Sequence, residues 1–306
     1  MSSGFAQRTS GGTVIRMMKP EELDSLPQFW SDDVGIPMEI SVLKRWHVLD
    51  PEAFRVAADR SGKIIGMVCV TKQTDSLFVI GYLGVAKAHQ QKGIARLLLA
   101  NATKRNPSAN FALSASSDKL DIFFRRGFQK VETTYAYAYI GKFSDRFDAG
   151  VKPASLEVVK VVKGDATSSM VAAYDQSVSG FKRDVDILYF SDPAAVVIAV
   201  KLQGKIVGVG KMQFYLLGGG WLGPVYANDS IIARWLVDGL LRSFQNRKCP
   251  YLFTIISDQA RGFIKSLSLK FTDKLTRCYL KTDANSLPPM NLNKVFAFED
   301  PGFALV

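Results

Sequence analysis

The run Leu83-Gly84-Val85-Ala86-Lys87-Ala88-His89-Gln90-Gln91-Lys92-Gly93-Ile94-Ala95-Arg96 decides how the rest of the chain is read. An apolar stretch from Leu77 to Val85, interrupted by Gly81 and Gly84, ends in a polar loop, and a helix-compatible stretch, Ile94 to Ala100, starts directly after Gly93. Strand, loop and helix start form an anion-binding geometry. The first turn of a helix has N–H groups without intrahelical acceptors and carries the positive end of the dipole. Gly93 lets the backbone approach an anion with no Cβ in the way, and Lys92 adds a charged donor.

Composition narrows the field. A chain of 306 residues with 47% hydrophobic content has room for two domains with packed cores. No apolar run approaches the ~20 residues that span a bilayer, so no membrane partner is expected. Residues 1–12 are rich in Ser and Gly and are expected to be a disordered lead-in. Cys69, Cys249 and Cys278 are scattered without metal-like spacing. The expectation is therefore free thiols, no metal site and a reducing, cytoplasmic compartment. Cys69, inside the apolar stretch Ile64 to Thr71, reads as a small buried hydrophobe. The net charge of +11 is spread evenly on either side of Gly150. Such a field suits an anionic small ligand; with no nucleic-acid module in the sequence, a nucleic-acid partner is not expected.

The chain repeats itself. Asp50-Pro51-Glu52-Ala53 and Asp192-Pro193-Ala194-Ala195 open two similar stretches 142 residues apart. Gly62-Lys63-Ile64-Ile65-Gly66 then matches Gly204-Lys205-Ile206-Val207-Gly208, and each reads as the turn of a β-hairpin. Upstream, Val14 to Lys19 faces Val158 to Lys163, and each run is followed by a helix opening with acidic residues, Pro20-Glu21-Glu22 or Gly164-Asp165. Downstream, Gly81-Tyr82-Leu83-Gly84 matches Gly220-Trp221-Leu222-Gly223, and Ile94-Ala95-Arg96 matches Ile232-Ala233-Arg234. The reading is α/β (α+β): two tandem units, each a mixed twisted sheet flanked by helices, at 13–145 and 155–306.

The first unit resembles the GCN5-related N-acetyltransferase (GNAT) family. Gln90, Gly93 and Ala95 fit that family's pyrophosphate loop, Leu83 and Val85 fit the strand before it, and Phe123 with Gly127-Phe128 fits a later motif. The second unit resembles the divergent acetyltransferase-like domain of YitH-type tandem proteins, through Gly223-Pro224-Val225-Tyr226-Ala227 and Ala233-Arg234-Trp235-Leu236. The resemblance implies an acetyl-CoA-dependent N-acetyltransferase acting on an amine of a small molecule or peptide. It implies that Leu83, Gly84, Val85, Gln90, Gln91, Lys92, Gly93, Ile94, Ala95 and Arg96 bind the cofactor. The strand ending at Val85 is expected to splay from its neighbour and pair with the pantetheine arm, with Gly81 and Gly84 fitting a bend or bulge. An amide near Leu83 is expected to polarise the thioester carbonyl. In the second unit the sequence comparison sets Asp229-Ser230-Ile231 against Gln90-Gln91-Lys92-Gly93, one residue shorter, with the loop glycine lost and a carboxylate where an anion would sit. That copy is expected to bind no CoA.

The proton-transfer groups depart from the family pattern. Relatives often place an acidic tyrosine four residues before the Gly-Phe pair, and here that residue is Phe123. Asp75, Tyr82 and Ser116 are the remaining catalytic candidates, and Asp32 and Asp33 the candidates for attracting the acceptor amine. Because Phe123 has no proton to donate, the alternative reading is a non-catalytic CoA-binding or scaffold protein.

Overall fold

A computed structural model describes residues 7–8, 12–130, 135–144, 147–244, 248–281 and 287–306. The chain divides into two compact units. The first comprises Met1–Ser114, Tyr279–Thr282 and Gly302–Ala304; the second comprises Ala115–Cys278, Asp283–Pro301 and Leu305–Val306. Most of the expected lead-in lies outside the described residues, although Gln7 and Arg8 pair with Ile15 and Val14. Among the described residues no helix is long and apolar enough to cross a membrane.

In chain order, unit 1 contains β1 (Gln7–Arg8), β2 (Val14–Met17), α1 (Leu26–Gln28), α2 (Ile40–Leu49), β3 (Phe54–Ala58), β4 (Ile64–Lys72), β5 (Leu77–Val85), α3 (Ile94–Thr103) and most of β6 (Asn110–Ser116). Its sheet runs β1-β2-β3-β4-β5-β6, antiparallel throughout except for the parallel pair β5–β6. The repeat of apolar positions Ile94, Leu98 and Ala102 gives α3 one buried face. That face lies on β4, where a Cβ at Gly66 would meet Leu98 and Ile94 at 3.0 and 3.3 Å.

Unit 2 contains α4 (Leu120–Phe124), β7 (Tyr135–Lys142), β8 (Leu156–Lys160), α5 (Ala166–Ser179), α6 (Val185–Phe190), β9 (Val196–Leu202), β10 (Lys205–Phe214), β11 (Gly220–Ala227), α7 (Ser230–Phe244), β12 (Tyr251–Ser257), α8 (Arg261–Ile264), β13 (Lys270–Leu280) and β14 (Val295–Ala297). Its sheet order is β13-β7-β12-β14-β11-β10-β9-β8, with β11–β12 as the parallel pair. Both units are therefore mixed sheets flanked by helices, as the repeat implies. Both expected hairpins form: β3–β4 turns at Gly62, and β9–β10 turns on Gln203-Gly204, both residues of which have positive φ. The acidic helix openings act as caps. Glu22 accepts from the Lys19 N–H at 2.8 Å, and Asp165 accepts from the Ser168 N–H at 2.7 Å.

The two Asp-Pro dipeptides have different tasks. The Asp192 carboxylate accepts from the nearby Ala194 N–H at 2.8 Å, a local turn contact. Asp50 is nearly buried and binds Arg105 through two bonds of 2.5 and 2.6 Å while accepting from the Lys72 N–H at 2.8 Å. Arg105 also donates to the Val70 carbonyl, so the pair fastens the end of β4 to the chain after α3. Removing one partner of such a pair leaves a buried charge unpaired. Asp50→Ala is expected to lower unfolding free energy by about 3 kcal/mol, measured by urea denaturation.

Candidate active site

The parallel pairing of β5 with β6 lasts only three residues, Leu77–Val79 against Asn110–Ala112. From Ile80 to Val85 no strand among the described residues pairs with β5 on that side, while β4 continues along the other. The expected splay is present. So is the bulge: Cys69 pairs with Gly81 and Met67 with Gly84, so Tyr82 and Leu83 together stand opposite Val68. Tyr82 takes up the extra residue in the left-handed region, at φ 49°. Gly84 is required by a neighbour the sequence reading did not name. A Cβ there would lie 2.5 Å from the Trp30 ring, which sits in a single turn of π-helix, Phe29–Val34. Trp30 donates to the Met67 sulfur at 3.5 Å and meets Tyr82 edge-on at 5.8 Å.

Beyond Val85 the loop is held by its own side chains. Gln90 donates to the Val85 carbonyl at 3.1 Å, and Lys92 to the Ala88 carbonyl at 3.0 Å. Gln91 and Gly93 both have positive φ, 61° and 77°. Gly93 is the N-cap of α3, with no side-chain cap and no acidic residue in the first turn. A Cβ on Gly93 would meet nothing within 4 Å, so the helix N-terminus opens onto free space. Of the flanking residues, Ile94 packs inward, Ala95 is half-buried and Arg96 is exposed.

The corresponding end of unit 2 is closed. Strand register pairs Gly66 with Val85 and Gly208 with Ala227, which places Gly81 opposite Gly223 in the repeat rather than opposite Gly220. Ile94 lies over Gly66 as Ile232 lies over Gly208. Ile94 follows Val85 by nine residues and Ile232 follows Ala227 by five, so the second loop is four residues shorter. The one-residue difference read from the sequence came from matching the Gly-aromatic-Leu-Gly strings, which lie at different registers. Asp229 accepts from the Ile232 N–H at 2.9 Å, so a carboxylate from the chain caps α7 where Gly93 leaves α3 open. β14 lies between β11 and β12, pairing Ala297 with both Val225 and Ile256. Where unit 1 has Gly84, unit 2 has Tyr226, fully buried beside Arg183 and Asp175, and burial pushes its phenol well above the ordinary tyrosine range.

The other candidates are scattered. Asp75 is exposed in the β4–β5 turn with Lys72 at 2.6 Å, and that ammonium holds its carboxyl below the usual range. The length of β5, roughly 25 Å, separates it from the loop. Ser116 donates to Asp118 at 2.6 Å. Phe123 sits in α4 with its ring 5.7 Å from Phe128. Asp32 and Asp33 line a groove of about 420 Å³ with Glu22, Phe29, Gly62 and Lys63, and Lys63 pairs with Asp33 at 3.2 Å.

Residues 17–128 match the model of the acetyltransferase (GNAT) family. The match covers 112 of the chain's 306 residues and spans the loop, the splayed strand and the Gly-Phe pair. Among solved structures the chain is similar to a protein of Pyrococcus horikoshii assigned as an acetyltransferase. The two share 19% identity at a TM-score of 0.75, over 97% of this chain and 98% of that one. It is also similar to a tandem GNAT protein from the clavulanic acid biosynthesis pathway, with 12% identity and a TM-score of 0.66, over 89% and 100% of the two chains. A GCN5-related N-acetyltransferase from Sphaerobacter thermophilus matches at 13% and 0.65, over 89% and 96%. At these identities the likeness is one of fold, along most of the chain. No curated protein sequence matches the chain.

Two predictions concern the site's supports. Arg16 hydrogen-bonds Glu22 at 2.6 and 2.7 Å and holds its carboxyl below the usual value. A lowered folded-state pKa stabilises at neutral pH, and the contribution is lost as pH falls through and below the ordinary carboxylate range. Glu22→Gln is expected to flatten that part of the acid limb, read from urea midpoints at about pH 7 and pH 3. Asp229→Ala is expected to cost about 1 kcal/mol of stability through loss of the α7 cap, read from thermal or urea unfolding.

Proposed function

We propose that the protein is an acetyl-CoA-dependent N-acetyltransferase whose donor site lies in unit 1, with an amine of a small molecule or peptide as acceptor. The duplicated halves are 13–145 and 155–306, and the second binds no CoA. One observation carries the reading: an uncapped helix N-terminus at Gly93 follows a strand whose far half has no neighbouring strand on one side among the described residues, while the repeat has closed both features with Asp229 and β14.

In this reading the amides of Lys92 to Ala95 hold the pyrophosphate at the start of α3. The edge of β5 beyond Val79, where no neighbouring strand pairs, takes the pantetheine arm as it would an added strand. The bulge at Tyr82 and Leu83 directs an amide toward the thioester carbonyl, where charge develops during transfer. Acetyl-CoA supplies an acyl group activated as a thioester. The acceptor nitrogen bonds to the acyl carbon as the C–S bond breaks; water takes the amine proton and returns one to the thiolate, since Phe123 has none to give. Tyr82, half-buried at the bulge, is the candidate side chain nearest this chemistry, and Asp32 and Asp33 the candidates for drawing in an ammonium. Three buried free thiols accord with a cytoplasmic setting.

A second reading, a CoA-binding protein without transferase activity, is favoured by Phe123 at the position where relatives carry a proton donor. Calorimetric titration and a thiol-release assay over a panel of amines test both. Gly93→Asp is expected to weaken acetyl-CoA binding at least tenfold with the far-UV spectrum retained, because a carboxylate then faces the pyrophosphate. No binding by the unmodified protein, or binding indifferent to Gly93→Asp, would overturn both readings. Tight binding with no thiol release against any amine would favour the second.

A further inference from the structure

The residues Gly302–Ala304 are part of unit 1, although the nineteen residues Asp283–Pro301 of unit 2 separate them from its preceding segment. Phe303 is completely buried. Its ring lies flat on Trp46, with centroids 5.3 Å apart and planes 11° from parallel, and 4.6 Å from the ring of Tyr82. Its carbonyl accepts from the Thr71 hydroxyl at 2.6 Å and the Gln73 amide at 2.9 Å, both at the end of β4. The preceding residue comes closer still. A Cβ on Gly81 would lie 1.8 Å from the Gly302 carbonyl oxygen, so the glycine that opens the β5 bulge is the one that admits this segment.

Tyr82 is an aromatic residue at φ 49°, a backbone state that persists only where the surroundings hold it. Two rings do so, Trp30 by its edge and Phe303 by its face. We propose that Phe303 is a positioning residue for acetyl recognition: with Gly302 against Gly81, it fixes the Tyr82 bulge and so the direction of the amide that meets the thioester carbonyl. The inference rests on the donor site proposed above, and it assigns a role in unit 1 to a residue 221 positions beyond that bulge. Phe303 itself touches no substrate, being fully covered by Trp46, Phe54, Tyr82 and the strand ends.

The effect is readable without an acceptor. Affinities for acetyl-CoA and for free CoA are measured by calorimetry on the full chain, and their ratio reports the contacts made to the acetyl group alone. The unmodified protein is expected to favour acetyl-CoA. Phe303→Leu keeps most of the buried volume but removes the ring face. It is expected to lower the ratio about fivefold, the equivalent of one hydrogen bond, while free CoA still binds within about twofold of its original affinity. Phe303→Met gives the same reading should the leucine variant fold poorly. Lys92→Ala, at the loop, is expected to weaken both ligands alike and leave the ratio untouched. An unchanged ratio in the Phe303 variants, or no acetyl preference in the unmodified protein, would overturn this inference and leave the donor site standing. Failure of the unmodified protein to bind either ligand would instead overturn the proposed function.

Discussion

Backbone groups along β5 beyond Val79 lose their neighbouring strand, and the surroundings of the site are organised around that edge. Unpaired N–H and C=O groups are costly unless something satisfies them, and the two units answer differently. Unit 2 inserts β14 into the opening and pairs it on both sides. Unit 1 keeps the edge available and shapes it with a bulge, with Trp30 packed against Gly84 and Gly302 against Gly81. The same difference recurs at the helix that follows: Asp229 satisfies α7 internally, whereas α3 begins at an uncapped glycine.

Those two closures are physically one change. A carboxylate at a helix N-terminus takes the place that an anionic ligand would fill, and a strand in the splay takes the place of an extended one. Buried polar groups then accumulate around the closed version. Lys211, at the repeat position of Cys69, is bonded to the Leu188 carbonyl at 2.7 Å and paired with Glu299 at 3.0 Å, both within unit 2. Such groups stabilise only as a complete set, so a change at any one of them leaves a buried charge exposed to loss.

Much of this was legible in the sequence because it is local. The hairpins at Gly62 and Gly204, the caps at Glu22 and Asp165, the bulge near Gly81–Gly84 and the helix after Gly93 follow from residues within a few positions of one another. The repeat carried the two-unit reading. What stayed hidden is long-range. Nothing around Phe303 marks it as a neighbour of Tyr82, and nothing around Val295–Ala297 marks it as a strand in the centre of a sheet. The catalytic candidates show the same limit: Asp75 lies next to β5 in sequence yet ends at the far tip of it, bound to Lys72. The register of the two glycine strings was hidden too, since matching letters at Gly81 and Gly220 outweighed the strand pairing that aligns Gly81 with Gly223.

The bond from Thr71 to the Phe303 carbonyl spans 232 residues of chain. At typical synthesis rates of 5–20 residues per second, about 12 to 46 seconds pass between the emergence of the two partners. For that interval Phe303 is not there to cover the faces of Trp46, Phe54 and Tyr82 that it meets in the folded chain. Unit 1 is thus encoded first but completed late, and its first hundred residues, expressed alone, lack a piece of their own interior.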